Sequence, residues 1–274
     1  FDEDILRKLT LSAEEEVVRG RFVLQDRDGK KFLTLEKNVR GAVQIWEPPN
    51  AKYHYVIGAD TAEGKLVTSR RSERSDVSER GGRDYSSATV LRLAKGDAPL
   101  KVVAELHGQL TPEVFAQQLN LLGEYYSCGG PSDGTFRNKA YMGVEQSHSS
   151  GQTVLRLLRE HHHYTPLYWH REINRLTRKI GRRIGWRTDA VSRMPMLDDL
   201  GKVVRDNAID IPSKDLVREM VTFVLWPNGK PAAEEGCHDD RVIALAIAFQ
   251  MEREHRHGVL GPMPQYEIED SLTG

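Results

Sequence analysis

The chain has 274 residues, with 39 Lys and Arg against 40 Asp and Glu, a formal net charge of −1. That balance excludes a globally basic nucleic-acid binder, though not a basic patch offset by acids elsewhere. At roughly 150 residues per domain the length suits one large domain or two small ones, and no apolar run approaches the ~20 residues of a membrane span.

No signal-peptide pattern is present. Two cysteines, Cys128 and Cys237, are too few for a disulfide scaffold and suit a reducing cytosol. Residues 1–50 read as a lead-in to the domain that follows. Ile5, Leu6 and Leu9 are spaced for one helical face. Short strands are expected over 21–47, with a turn at Asp26-Arg27-Asp28-Gly29. Pro48-Pro49-Asn50 acts as a spacer.

From Tyr53 the pattern sharpens. Tyr53 to Asp60 is a strand ending in a carboxylate, Ser86 to Leu93 a second strand and Leu100 to His107 a third. Together they predict an antiparallel meander. Thr111-Pro112 starts a helix, with a Thr cap and Pro at the first position. Val114, Phe115, Leu119, Leu122 and Tyr126 are expected to face the core. Ala140 to Glu145 is a fourth strand, again ending in a carboxylate. Ser150 is placed to cap a helix carrying Val154, Leu155, Leu157 and Leu158. Tyr164 to Trp169 reads as a fifth strand, Ser192 to Arg205 as a helix and Ile209 to Ile211 as an extended piece. A helix capped by Ser213 follows, then a last helix from His238 or Asp239 to about Glu254. We expect the domain to span 51–257, with 258–274 a loose tail. Three meandering strands followed by alternating helix and strand form a mixed-sheet α/β pattern. It is the order of the ribonuclease H-like fold.

Four carboxylates stand out. Asp60 and Glu145 end the first and fourth strands, which are neighbours in such a sheet. Asp239 and Asp240 open the last helix. Crowded carboxylates repel one another and hold raised pKa values unless a cation neutralises them. Hard oxygen ligands suit Mg²⁺ or Mn²⁺. Two such ions about 4 Å apart can activate a water and stabilise a leaving 3′ oxygen. Each acid also has an ordinary reading: a turn residue for Asp60, loop chemistry for Glu145, a helix cap for Asp239. The run Val242 to Phe249 is apolar on nearly all sides. Carboxylates opening so buried a helix are costly without a partner.

Other segments carry less. Gly58 to Leu66 has one residue too many for a phosphate loop and no hydroxyl after Lys65. His161-His162-His163 cannot share a helical face, and Cys237-His238 lacks a second ligand pair for zinc. Residues 169–187 hold six Arg and one Lys against one Glu, between Trp169 and Trp186. Arg171, Arg175, Arg178, Lys179, Arg182, Arg183 and Arg187 are candidates for DNA backbone contact. Arg70, Arg71, Arg74, Arg80 and Arg83 form a second basic segment.

The combination resembles the C-terminal nuclease domain of tailed-bacteriophage terminase large subunits. The matching residues are Tyr55-Val56-Ile57-Gly58-Ala59-Asp60-Thr61-Ala62-Glu63-Gly64, Asp84-Tyr85-Ser86-Ser87-Ala88, Gly143-Val144-Glu145, Gly185-Trp186-Arg187-Thr188 and Gly236-Cys237-His238-Asp239-Asp240-Arg241-Val242-Ile243-Ala244-Leu245-Ala246. They span about Val43 to Met251. The resemblance implies a metal-dependent, RuvC-like endonuclease cutting double-stranded concatemeric DNA in the host cytoplasm, docked on the procapsid. By motif, Asp60, Glu145 and Asp240 correspond to the metal triad, with Asp239 as the alternative or fourth acid. Asp60 is expected to bridge two ions, with Glu145 holding one and Asp240 the other. The family's loop Asn after the Glu motif is not matched by Gln146-Ser147-His148. Implied partners are a terminase ATPase domain, the small terminase subunit and the portal. The start at Phe1 leads us to expect that the ATPase domain lies outside this sequence. Other ribonuclease H-like nucleases, of the junction-resolvase or transposase type, and a silent DNA- or portal-docking module are the alternatives.

Overall fold

A computed structural model describes residues 1–27, 29–62, 85–127, 139–146, 149–173, 180–189, 191–227 and 229–256. The chain opens with α1 (Glu3–Ser12), whose first turn is capped by Asp2 accepting from the backbone N–H groups of Asp4 and Ile5. Three strands follow, β1 (Val18–Arg27), β2 (Lys30–Lys37) and β3 (Val43–Ile45). The meander is β4 (Tyr55–Asp60), β5 (Ser86–Arg92) and β6 (Leu100–Gly108). Then come α2 (Pro112–Tyr125), β7 (Tyr141–Val144) and α3 (Ser149–Arg156), the last running into a π-helical turn at Leu157–His161.

The second half holds β8 (Trp169–Ile173), β9 (Ile180–Ile184), α4 (Arg193–Arg205), β10 (Ile209–Asp210), α5 (Lys214–Val221), β11 (Phe223–Leu225), β12 (Pro231–Ala233) and α6 (Asp240–Arg256). The main sheet has the order β2-β1-β3-β6-β5-β4-β7, with β10 also paired to β6. β4, β5 and β6 are antiparallel, and β7 lies parallel to β4. This is a ribonuclease H-like mixed sheet with helices on both faces.

Strand alternation assigns the faces. Tyr55, Ile57 and Ala59 of β4 join Ala88 and Val90 of β5 in a core with Phe115, Leu119 and Leu122 of α2. Val56 and Leu91 point the other way, into a core with α1, α4, α5 and α6. Asp60 is in phase with Val56 and Gly58, so it emerges on the α6 side. Both faces of the central strands are covered, which is why they read as nearly unbroken apolar runs. Gly58 and Gly143 are register partners on β4 and β7. A Cβ on Gly58 would lie 2.2 Å from the Ala244 carbonyl oxygen, and one on Gly143 2.5 Å from Met251 Sδ. These glycines let α6 lie directly on the strands that carry the acids.

Several local expectations need correction. Val114 is 42% exposed; the buried stripe of α2 runs through Phe115, Leu119, Leu122 and Tyr126, and Val114 sits about 100° off it. Ser150 does not cap α3, which starts at Ser149; its hydroxyl donates to the Ala62 carbonyl and fastens α3 to the end of β4. The segment from Tyr164 contributes to the sheet through a single bridge, Leu167 to Met142, and its strand proper is β8 in a separate ribbon with β9. The hairpin of β11 and β12 was not anticipated. Residues 258–274 and the arginines of 70–83 lie outside the described residues.

Candidate metal centre

The local chain geometry puts two acids side by side. The backbone N–H of Glu145 donates to the Ala59 carbonyl at 2.8 Å, extending the β7–β4 ladder to the end of both strands. The Glu145 carbonyl lies where a Cβ on Gly151 would stand 2.0 Å away, so only glycine lets α3 approach it. Glu145 is buried. Its carboxyl and that of Asp60 share a hydrogen bond, and the Asp60 carboxyl is held well above the usual carboxylate range. Burial is the largest cause, followed by the bond to Glu145 and by repulsion from Glu145, Asp240 and Asp239.

The other two acids come from the start of α6. Asp239 points to Arg193 in the first turn of α4, whose Nη2 donates to Oδ2 at 2.8 Å. Asp240 lies 3.6 Å from His238 Nδ1 through its Oδ2, and its side chain is 18% exposed. The adjacent acids therefore differ in their partners. Asp239 meets a fixed cation of the protein, and both repel the Asp60 carboxyl, Asp240 more strongly than Asp239. Among the described residues no three carboxylate, His or Cys side chains are already arranged as a coordination shell. The donor chemistry nonetheless fits a hard divalent ion, because all the donors are oxygens and their ionised forms need an outside cation.

The solved structures that match this chain include two of the large terminase nuclease from thermophilic phage G20c, one with bound magnesium and one with bound cobalt. Each is 16% identical over 89% of this chain and 96% of that one, with TM-scores of 0.51 and 0.50. The fold is that of a large terminase nuclease. No family model and no curated protein matches the chain.

On this terminase nuclease fold the basic segment forms the β8–β9 ribbon. Arg171 pairs in register with Arg182, and His170 with Arg183. Arg171, Arg182, Arg183 and Arg187 are exposed, and Arg187 reaches Asp189 at 3.8 Å. Arg175, Arg178 and Lys179 lie outside the described residues. The ribbon is tied to the site by backbone bonds: the N–H of Gln146 donates to the Trp186 carbonyl, and that of Trp186 to the Val144 carbonyl, each at 2.8 Å.

Several residues of the site went unassigned in the sequence. Arg193 is one, and Arg241 with Glu105 and Glu219 is a second group. Signals for them existed. Glu105 interrupts the apolar strand Val102 to Leu106, and Arg241 precedes the apolar run of α6. Buried charges in such places need partners. Glu105 remains raised to about 7, because burial outweighs the favourable charge of Arg241.

His107 sits at the end of β6, opposite Ser87, itself opposite Asp60. Its ring stacks on Tyr85 at 4.8 Å, and Tyr85 meets His238 edge-on at 5.0 Å. Burial, then Arg241 and His238, push the His107 pKa down from 6.5 to about 3. The unfolded chain accepts this proton below pH 6.5 and the folded chain resists it. The resulting stability is full above 6.5 and lost as pH falls toward 3. His107→Phe keeps the stacking and removes the proton. Relative to its effect at pH 8, it should gain about 2 kcal/mol at pH 5. Acid unfolding followed by circular dichroism checks this: the midpoint moves to lower pH.

Proposed function

We propose that this chain is the divalent-metal-dependent DNA endonuclease domain of a viral packaging terminase, cutting double-stranded concatemeric DNA. The observation that supports the reading is Glu145 beside Asp60 at the ends of β7 and β4, with the acidic start of α6 near enough to repel the Asp60 carboxyl. The likeness in fold to a terminase nuclease supports it.

In this reading Asp60, Glu145 and Asp240 would hold two ions, Mg²⁺ or Mn²⁺. Asp239 stays with Arg193 and is the weaker candidate ligand. Ions bound there supply a more acidic water and charge stabilisation for an in-line phosphodiester displacement. The protein's own contribution is positional. Glu145 is fixed from both sides, by β4 and by α3. The partners we propose are double-stranded DNA and, in the full motor, a terminase ATPase domain, the small subunit and the portal, with the assembly docked on a procapsid in the host cytoplasm. Among the described residues no helix is long and apolar enough to cross a membrane.

The β8–β9 ribbon supports a DNA path beside the acids. Arg171, Arg182, Arg183 and Arg187 are exposed on or just after it, which suits contact with a polyanion. Phosphate contacts carry no sequence information. Each adds about 0.9 to the salt dependence of binding. Arg171→Ala combined with Arg182→Ala should weaken binding similarly on unrelated duplexes and lower the slope of log K against log salt by about 2. Fluorescence anisotropy over a salt series measures it.

Nicking and linearisation of plasmid DNA with Mg²⁺, Mn²⁺ or EDTA test the activity. Cleavage with metal and none with EDTA is expected. Binding without cleavage would point to a docking module, and strong preference for branched substrates to a resolvase.

A further inference from the structure

Arg241 directly follows Asp240 and is 9% exposed. Its backbone N–H donates to Glu219 Oε2 at 2.8 Å, and its Nη1 to Glu219 Oε1 at 2.8 Å. Its Nε donates to Glu105 Oε2 at 3.0 Å, and Nη2 lies 3.6 Å from Asp215 Oδ2. Ser213, the cap of α5, donates to the same Glu105 oxygen at 3.0 Å. One side chain therefore joins β6, α5 and the first turn of α6. Glu219 also satisfies a first-turn N–H that has no partner inside its own helix.

Stability is a poor explanation for this cluster. A buried Arg–carboxylate group is costly to desolvate, and well-packed uncharged replacements are often as stable. Geometry explains it better. Successive helical residues are 100° apart, so fixing Arg241 on β6 and α5 fixes the direction of Asp240. On the other side, Asp239 is held by Arg193 at 2.8 Å. The residue between the two anchors, Asp240, is the one of the pair whose charge acts more strongly on Asp60.

We propose that Arg241, braced by Glu219 and Glu105, is a positioning residue that sets the rotation of α6 so that Asp240, rather than Asp239, completes the metal site. The proposal rests on reading Asp60, Glu145 and Asp240 as that site. It separates the role of holding the fold from the role of aiming a ligand.

The test is Mn²⁺ binding by isothermal titration to the DNA-free protein, with melting temperatures measured alongside. Wild type binds Mn²⁺ and Asp60→Asn does not. Glu219→Gln and Arg241→Lys lose about 10–100-fold in Mn²⁺ affinity, the range for an outer partner of a metal ligand. A triple variant, Arg241→Met with Glu105→Gln and Glu219→Gln, removes the buried charges together. It keeps its melting temperature near wild type yet binds Mn²⁺ at least as weakly as the single variants. Wild-type affinity in the triple variant, or a change in melting temperature alone in the single variants, overturns the positioning role. Failure of wild type to bind Mn²⁺ overturns the metal-site reading itself, and the proposal with it.

Discussion

Asp60→Asn is expected to abolish metal-dependent cleavage of plasmid DNA and to raise the melting temperature of the metal-free protein. The two effects have one cause. In the folded chain the Asp60 carboxyl keeps its proton well above the usual carboxylate range, first because it is buried and then because Glu145, Asp240 and Asp239 surround it. The unfolded chain releases that proton near the ordinary pKa. Between the two values the folded state binds more protons, so stability falls as pH rises. Asn has the same shape, stays neutral and can still donate a hydrogen bond to Glu145. Its advantage in melting temperature is therefore small at pH 4 and larger at pH 7. Added Mn²⁺ reverses the order, because wild type gains stability by binding an ion and the variant does not. The loss of cleavage exceeds the about 100-fold that removal of an outer partner costs. Undiminished nicking by the variant would remove Asp60 from the site.

Gly58→Ala is expected to have a large effect for a single methyl group. The new Cβ would stand 2.2 Å from the Ala244 carbonyl oxygen and 2.4 Å from the Ala248 nitrogen. Both are helix backbone, so no side chain can turn aside. Either α6 lifts from β4 or the strand shifts. Overpacking of this kind costs about 1–3 kcal/mol, which for a chain of this length lowers the melting temperature by roughly 2–12 °C. Because α6 carries Asp240, cleavage falls as well, even at temperatures where the variant is fully folded. Gly201→Ala is the control. It lies within α4, where nothing stands within 4 Å of a new Cβ. There the substitution stabilises by about 1 kcal/mol through helix propensity. Differential scanning calorimetry and a plasmid assay on both variants separate the two cases.

The parts legible in the sequence were those with local causes. β4, β5, β6 and β7 show as apolar runs because both faces of the sheet are covered. The Thr111-Pro112 start of α2 is fixed by the cap and the proline ring. The apolar run from Val242 announces a buried helix, and the acids before it mark its end. The parts that were not legible depend on the rest of the chain. The β8–β9 ribbon lies in a basic stretch whose hydrophobic pattern favours no period. Ser150 has the chemistry of a cap but spends its hydroxyl on Ala62, because α3 is fastened to the end of β4. Arg241 and Glu105 are 136 residues apart, and no local rule pairs them. Asp239 and Asp240 are chemically identical in sequence. Contacts from distant elements distinguish them, such as Arg193 of α4 on Asp239.

The most direct test of the metal centre is a crystal of this chain soaked in Mn²⁺, with anomalous scattering located against the protein. The account predicts anomalous peaks held by Asp60, Glu145 and Asp240, with Asp239 still on Arg193. An Mn²⁺ site on Asp239 in place of Asp240, or no peak near Asp60 at saturating Mn²⁺, would contradict it.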